Sequence, residues 1–388
     1  MITEPQTERT TRSIPAPNWE TLRAQMPASR RWAYYDHAAV APLSGPAQDT
    51  LCAWATDNAE NGDVHWPFWA RRIEQVRRQG AALIGATVEE IALVRNTTEG
   101  INLVAEGYPW QAGDNVVCFA DEFPSNRIPW QHLQTRGVEC RIVATDGTDD
   151  DLDRLLKACD ARTRIVAVSW VGYASGRRWD VPRLAEAVHG RGALLFLDAI
   201  QGLGVFPIDA SAAGVDFLAA DGHKWLLGPE GAGLAYVRRQ HLDLLRPTGL
   251  GWNSVVDGHD FTRTEWRVRP SAARYEGGTM NSGGLLALGA SLALLAEYDT
   301  ADIARRVLDV SERLSEALRR AGAVVYSDRR PEAASGIVSF DLPGRNPVAL
   351  RRDLLDAGVV VSCRAGKLRA SPHAYNTDED LERLIHAL

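Results

Sequence analysis

Asp221-Gly222-His223-Lys224-Trp225 follows the apolar run Phe217 to Ala220 and precedes the glycine-rich Gly228-Pro229-Glu230-Gly231-Ala232-Gly233. A lone lysine after a strand is ordinarily a solvated turn residue. Here the flanking glycines, with His223 and Trp225 as immediate neighbours, argue for a buried turn instead. An amine in a partly desolvated pocket loses its proton near neutral pH and becomes a nucleophile. Upstream, Asp198-Ala199-Ile200-Gln201 closes a second apolar run, Ala193 to Leu197. A carboxylate at that strand end is costly unless it caps the next helix or meets a cation.

A lysine and an acid at the ends of neighbouring buried strands match what pyridoxal 5'-phosphate (PLP) chemistry requires. The amine carries the cofactor as a Schiff base, and the carboxylate keeps the pyridine nitrogen protonated so that the ring accepts electrons. Gln201 is placed to donate to the phenolate oxygen. Asn96-Thr97-Thr98-Glu99-Gly100 lies between a strand and a helix, where free N–H groups and the helix dipole suit a phosphate; an ordinary N-cap reads the same way. Phe123, in Glu122-Phe123-Pro124-Ser125-Asn126, is suited either to a flat heteroaromatic ring or to the core.

Composition sets the wider limits. A chain of 388 residues has room for two lobes, each with its own core. The net charge of −7 argues against nucleic-acid or anionic-membrane partners. The five cysteines are odd in number, scattered and without a C-x-x-C pair. That suits reduced thiols in a cytoplasmic protein, and neither a disulfide framework nor a metal site. The N-terminus lacks a secretory pattern, and no apolar stretch approaches the ~18 residues of a membrane span.

Short apolar runs at Ile91–Arg95, Asn115–Phe119, Glu139–Val143, Arg164–Val171, Ala193–Leu197, Phe217–Ala220 and Gly233–Val237 alternate with polar helical segments. The expected fold class is α/β, with a mostly parallel seven-stranded sheet and helices on both faces. Ligands of such sheets sit beyond the C-terminal strand ends, where Thr97, Asp198 and Lys224 all fall. The expected division is an arm and helix over residues 1–30, a large cofactor-binding domain over 31–284, and a smaller α+β domain over 285–388.

From about Tyr34 to the C-terminus these ordered motifs resemble fold type I PLP enzymes of the class V aminotransferase group. The nearest branch holds the cysteine desulfurases, selenocysteine lyases and isopenicillin N epimerases. The resemblance implies that Lys224 binds PLP covalently, that Asp198 meets the pyridine nitrogen, and that Gln201 meets the phenolate oxygen. It implies that Thr97, Thr98 and His223 hold the phosphate and that Phe123 stacks on the ring. Arg274-Tyr275-Glu276-Gly277-Gly278-Thr279-Met280-Asn281 resembles a segment given to a second subunit, so Thr279 would reach the partner's phosphate in a homodimer with shared sites. Arg369 matches the arginine that forks a substrate carboxylate, with Arg364 assisting; His37, Asn126 and Trp170 are further candidate substrate contacts.

Three departures bear on the reaction. Desulfurases carry a catalytic cysteine on a loop before that arginine; here the loop shrinks to Ser362-Cys363-Arg364-Ala365-Gly366-Lys367, and Cys363 reads as a structural thiol. Asp221 stands where desulfurases often have a phosphate-binding serine. Trp170 replaces a polar residue, and with Trp252 and Trp266 it forms either an aromatic wall or ordinary core. The expected activity is transamination or β-elimination on an amino acid or amine-bearing metabolite through a Cα carbanion, with epimerisation and desulfuration as alternatives. A nucleotide-dependent oxidoreductase is excluded by the missing G-x-G-x-x-G after the first strand. A non-catalytic PLP-fold protein sits poorly with intact Lys224, Asp198 and Arg369.

Overall fold

In chain order the strands of the computed structural model are β1 Ala33–Tyr34, β2 Ile91–Val94, β3 Asn115–Phe119, β4 Glu139–Val143, β5 Thr163–Ser169, β6 Leu194–Asp198 and β7 Phe217–Asp221. They continue with β8 Gly233–Val237, β9 Val324–Val325, β10 Val338–Asp341, β11 Val359–Val360, β12 Ser362–Arg364 and β13 Lys367–Ala370. The structure describes residues 17–388; the expected arm over residues 1–16 lies outside the described residues.

Seven strands form the large sheet in the order β2-β8-β7-β6-β5-β3-β4. All its neighbours are parallel except β8, which runs antiparallel to both β7 and β2. Apart from the edge strand β4, which is partly exposed, the strands are buried on both faces, which explains why they read as continuous apolar runs. Side-chain alternation divides them between two cores. Leu195, Leu197, Val166 and Leu218 face one layer, while Phe196, Ile165, Ala167 and Phe217 face the other. Each such buried side chain contributes about 1.5–3 kcal/mol.

The smaller lobe carries the antiparallel sheet β12-β13-β10-β9. Helices Thr300–Arg320, Pro347–Asp356 and Asp378–His386 accompany it. The expected boundaries shift at both ends. β1 pairs in parallel with β11, and Ala33 and Tyr35 sit in the small lobe's core. Helix Ser282–Leu295 packs instead against helices Gly45–Asn61 and Trp66–Leu83 of the large lobe. It is apolar on every face, so it needs cover all round and cannot start a peripheral lobe. No helix among the described residues is long and apolar enough to cross a membrane.

Candidate active site

β6 ends at Asp198 and β7 ends at Asp221, three residues before Lys224. Beside them, helix Thr97–Gly107 starts behind the Asn96 N-cap, whose side chain accepts from the Glu99 amide at 2.8 Å. These ends surround a cavity of about 220 Å³. That is smaller than the roughly 300–1,000 Å³ of drug-sized sites, so it admits a small molecule. Lys224, Asp198, Gln201, His223, Thr97, Thr98 and Phe123 all line it, as do Arg364 and Arg369 from the small lobe.

The turn bearing Lys224 is tightly held. Leu227 donates its N–H to the Lys224 carbonyl and adopts φ 57°, a left-handed conformation costly for a branched residue. Ser291 Oγ donates to the Leu227 carbonyl at 2.6 Å and helps to fix it. Lys224 is 8% exposed. Burial pushes its ammonium down to about 8, against the opposing pull of Asp198. Its Nζ lies 5.6 Å from the centre of the Phe123 ring. Burial likewise raises the Asp198 carboxyl to about 6, opposed by the Ile200 N–H at 3.1 Å and by Lys224. Acid and amine share one cavity, yet among the described residues they form no direct ion pair.

Asp221, whose place near a phosphate is unfavourable on charge alone, is turned aside. Its Oδ1 accepts from the Gly222 N–H at 2.7 Å, and its Oδ2 lies 2.9 Å from His223 Nδ1. That imidazole contact is close without hydrogen-bond alignment, so Nδ1 stays unsatisfied. The Asp221 N–H donates to Thr97 Oγ1 at 3.0 Å, and Thr98 Oγ1 donates to Ser125 Oγ at 2.8 Å.

Arg369 is the most deeply buried cation of the site, at 1% exposure. Burial lowers it to about 10, a range in which it keeps its charge at neutral pH. Its Nε donates to Ser362 Oγ at 3.2 Å, one terminal nitrogen to the Tyr173 carbonyl at 2.7 Å, and the other reaches Asp36 at 3.4 Å. Asp36, Ser362 and Tyr173 escaped the sequence reading. Asp36 and Tyr173 are distant in sequence from the arginine; Ser362, seven residues away, reaches it through the sheet pairing Ser362↔Arg369, and Asp36 through its bridge to Ser371.

Four expectations are corrected. His37 is fully buried with both ring nitrogens engaged, to the Ser371 carbonyl at 2.8 Å and Tyr375 Oη at 2.7 Å. Asn126 is likewise spent on Glu122 at 2.9 Å and the Trp130 indole at 3.1 Å. Trp170 packs over Gly202, where a Cβ would lie 2.4 Å from its ring, and belongs to the core. Trp252 and Trp266 lie exposed on a separate surface segment, so the three tryptophans form no wall within one chain. Thr279 is exposed and lines a different cavity, of about 600 Å³, on which Thr98 also opens.

These residues fit PLP. A buried amine without a counter-ion, a carboxyl with a single hydrogen bond, an unsatisfied imidazole nitrogen and a helix N-terminus converge on one small cavity. That donor set suits a flat, cationic-nitrogen ring bearing a phosphate.

Comparison with known proteins agrees. The aminotransferase class-V model matches residues 34–384. A probable cysteine desulfurase of Methanothermobacter thermautotrophicus is 31% identical over 95% of this chain and 97% of its own. The apo cysteine desulfurase of Thermococcus onnurineus superposes with a TM-score of 0.85 at 27% identity, covering 96% of this chain and 97% of that one. A C-DES variant solved with glycine covalently linked to its PLP has a TM-score of 0.88 at 23% identity, covering 96% and 98%. Cavity, fold and relatives agree that this chain is an enzyme of the PLP-dependent class V aminotransferase family.

Proposed function

We propose that this enzyme is a β-lyase that cleaves the Cβ–S bond of a free, cysteine-type amino acid. Relatives named cysteine desulfurases support sulfur amino-acid chemistry. One observation separates this chain from their mechanism as the sequence reading describes it: no cysteine lines the cavity among the described residues. Strand side chains alternate between faces. Ser362, bonded to Asp36 and Arg369, marks the cavity face of β12. Cys363 therefore takes the other face, level with Leu368, which is wholly buried in the small-lobe core. Ala365 and Gly366, at φ 49° and 76°, close the hairpin in two residues and leave no loop to swing a thiol across.

The residues divide the work as follows. Arg369 offers its remaining N–H groups to the substrate carboxylate, with Asp36, Ser362 and Tyr173 fixing its plane. Lys224 Nζ would act as the base that takes the proton from Cα. The Cβ–S electron pair would leave on sulfur, and Lys224 and Arg364, which both line the cavity, are the cations available to meet that charge. Asp198 would hold the pyridine nitrogen, Thr97, Thr98 and His223 would hold the phosphate, and Phe123 would cover the ring. Bound PLP supplies the electron sink for the carbanion. With cysteine, one water is consumed, and sulfide, pyruvate and ammonia are released.

Exposed Thr279 fits a pairing of two copies in which it completes the partner's phosphate site. Five unpaired cysteines suit a reducing cytoplasm.

The product mixture tests the reaction. With cysteine as substrate, pyruvate should form in step with sulfide and without any added keto acid. Alanine accompanied by an enzyme-bound persulfide would establish desulfuration instead, and a strict need for a keto acid would establish transamination.

A further inference from the structure

Trp225 follows the lysine and is 1% exposed. Its ring packs against a pair of imidazoles, His37 at 6.1 Å and His373 at 6.0 Å between centroids, both within 30° of parallel and themselves 5.3 Å apart. Its carbonyl lies 3.3 Å from His373 Nε2, and Gly336 presses on its far edge, where a Cβ would lie 2.6 Å away. A ring this buried must find a protein partner for its N–H. That N–H donates to Gln201 Oε1 at 2.8 Å.

An indole N–H can only donate and a backbone carbonyl can only accept. Gln201 stands between one of each, since its Nε2 donates to the Ala38 carbonyl at 2.9 Å. The opposite amide orientation would set N–H against N–H and C=O against C=O. Gln201 also lines the cavity, and Nε2 has a second hydrogen not used by Ala38. We infer that Trp225 is a positioning residue: its indole N–H locks the Gln201 amide so that Nε2, and not Oε1, is presented to an anionic ring oxygen of the cofactor. The inference rests on PLP as the ligand and is independent of the choice between β-elimination and its rivals.

The test is a spectrophotometric pH titration of the visible band of the PLP-loaded protein, without substrate. A donor on the ring oxygen favours its anionic form and lowers the midpoint of the band; an amide oxygen there would raise it. Trp225→Phe keeps a ring and removes the donor, and should raise the midpoint by about one unit, the scale of a lost hydrogen bond to a charged group. Gln201→Leu should raise it as well. Adding Trp225→Phe to Gln201→Leu should give no further shift, because the tryptophan acts only through the amide. Lys224, Asp198, Asp221, His223, Arg364 and Arg369 also face the cavity; they are common to all four proteins and cancel in the comparison. An unchanged midpoint in Trp225→Phe overturns the inference, as does an equal shift in both backgrounds. Should Trp225→Phe fail to fold, the isotope-labelled indole resonance of Trp225 should move on Gln201→Leu; an unmoved resonance likewise overturns it.

Discussion

Lys224 shows how desolvation can outweigh attraction. Asp198 and Asp221 pull its proton affinity up while burial pulls it down, and burial wins. A midpoint of about 8 makes the free amine about a tenth of the population at pH 7 and about nine-tenths at pH 9. Only the free amine attacks an aldehyde, so capture of PLP by the stripped protein should speed up from pH 7 to 9 and level off above. A rate flat across that range would remove the assigned protonation state. At Arg369, truncation to alanine should raise KM for a carboxylate substrate roughly 30-fold or more, from the ~2–5 kcal/mol of a buried charge contact. Unaltered KM would place the carboxylate elsewhere. The grouping of Lys224, Asp198, Gln201, His223, Thr97, Thr98 and Phe123 around one cavity was legible because each lies just at or beyond a strand end or opens a helix, where local pattern fixes direction. The places of His37 and Trp170 were not, since each turns inward towards partners far along the chain, and Asn126 is taken up by Glu122 and Trp130, each only four residues away.

Among elements, the β12–β13 hairpin carries the observation on which the proposed β-elimination rests. Its register puts Ser362 and Arg369 on one face and Cys363 and Leu368 on the other, so Cys363→Ser should leave turnover within about twofold, as for a surface or structural change remote from the reacting atoms. Loss of activity in that variant, measured as pyruvate or alanine, would restore the thiol to the mechanism. The shortness of this loop was legible from residue count alone. The face of the thiol was not, because it follows from strand register, which a single sequence does not display. The seven strands of the large sheet were found nearly to the residue, the unbroken apolar character of all but the edge strand β4 announcing burial on both sides. The direction of β8 was hidden for the same reason, since a buried antiparallel strand and a buried parallel one carry the same composition.

Across the whole molecule, sequence order and spatial order part company at the lobe boundary. β1 closes the small lobe from the far end of the chain, and helix Ser282–Leu295 belongs to the large one. Arg77 ties distant parts together in a comparable way. From helix Trp66–Leu83 it reaches the Ile91 carbonyl at 2.9 Å and both carboxylate oxygens of Glu276, whose Oε1 also accepts from the Leu93 N–H at 2.8 Å. This ion pair is almost fully buried on both sides. Arg77→Met should therefore cost about 3–5 kcal/mol in denaturant unfolding, most of it from stranding Glu276; a loss below about 1 kcal/mol would show that water reaches the carboxylate.

An amine, a carboxyl and an imidazole share one buried hollow, each lacking a full set of neighbours. The empty chain carries that deficit as a weak point in its own framework, and filling the hollow removes it. Fold and coenzyme are thereby thermodynamically linked: a hundredfold excess over the dissociation constant adds about 2.7 kcal/mol to the native state. Vitamin B6 supply thus governs how much of this polypeptide survives heating, as well as how fast it works.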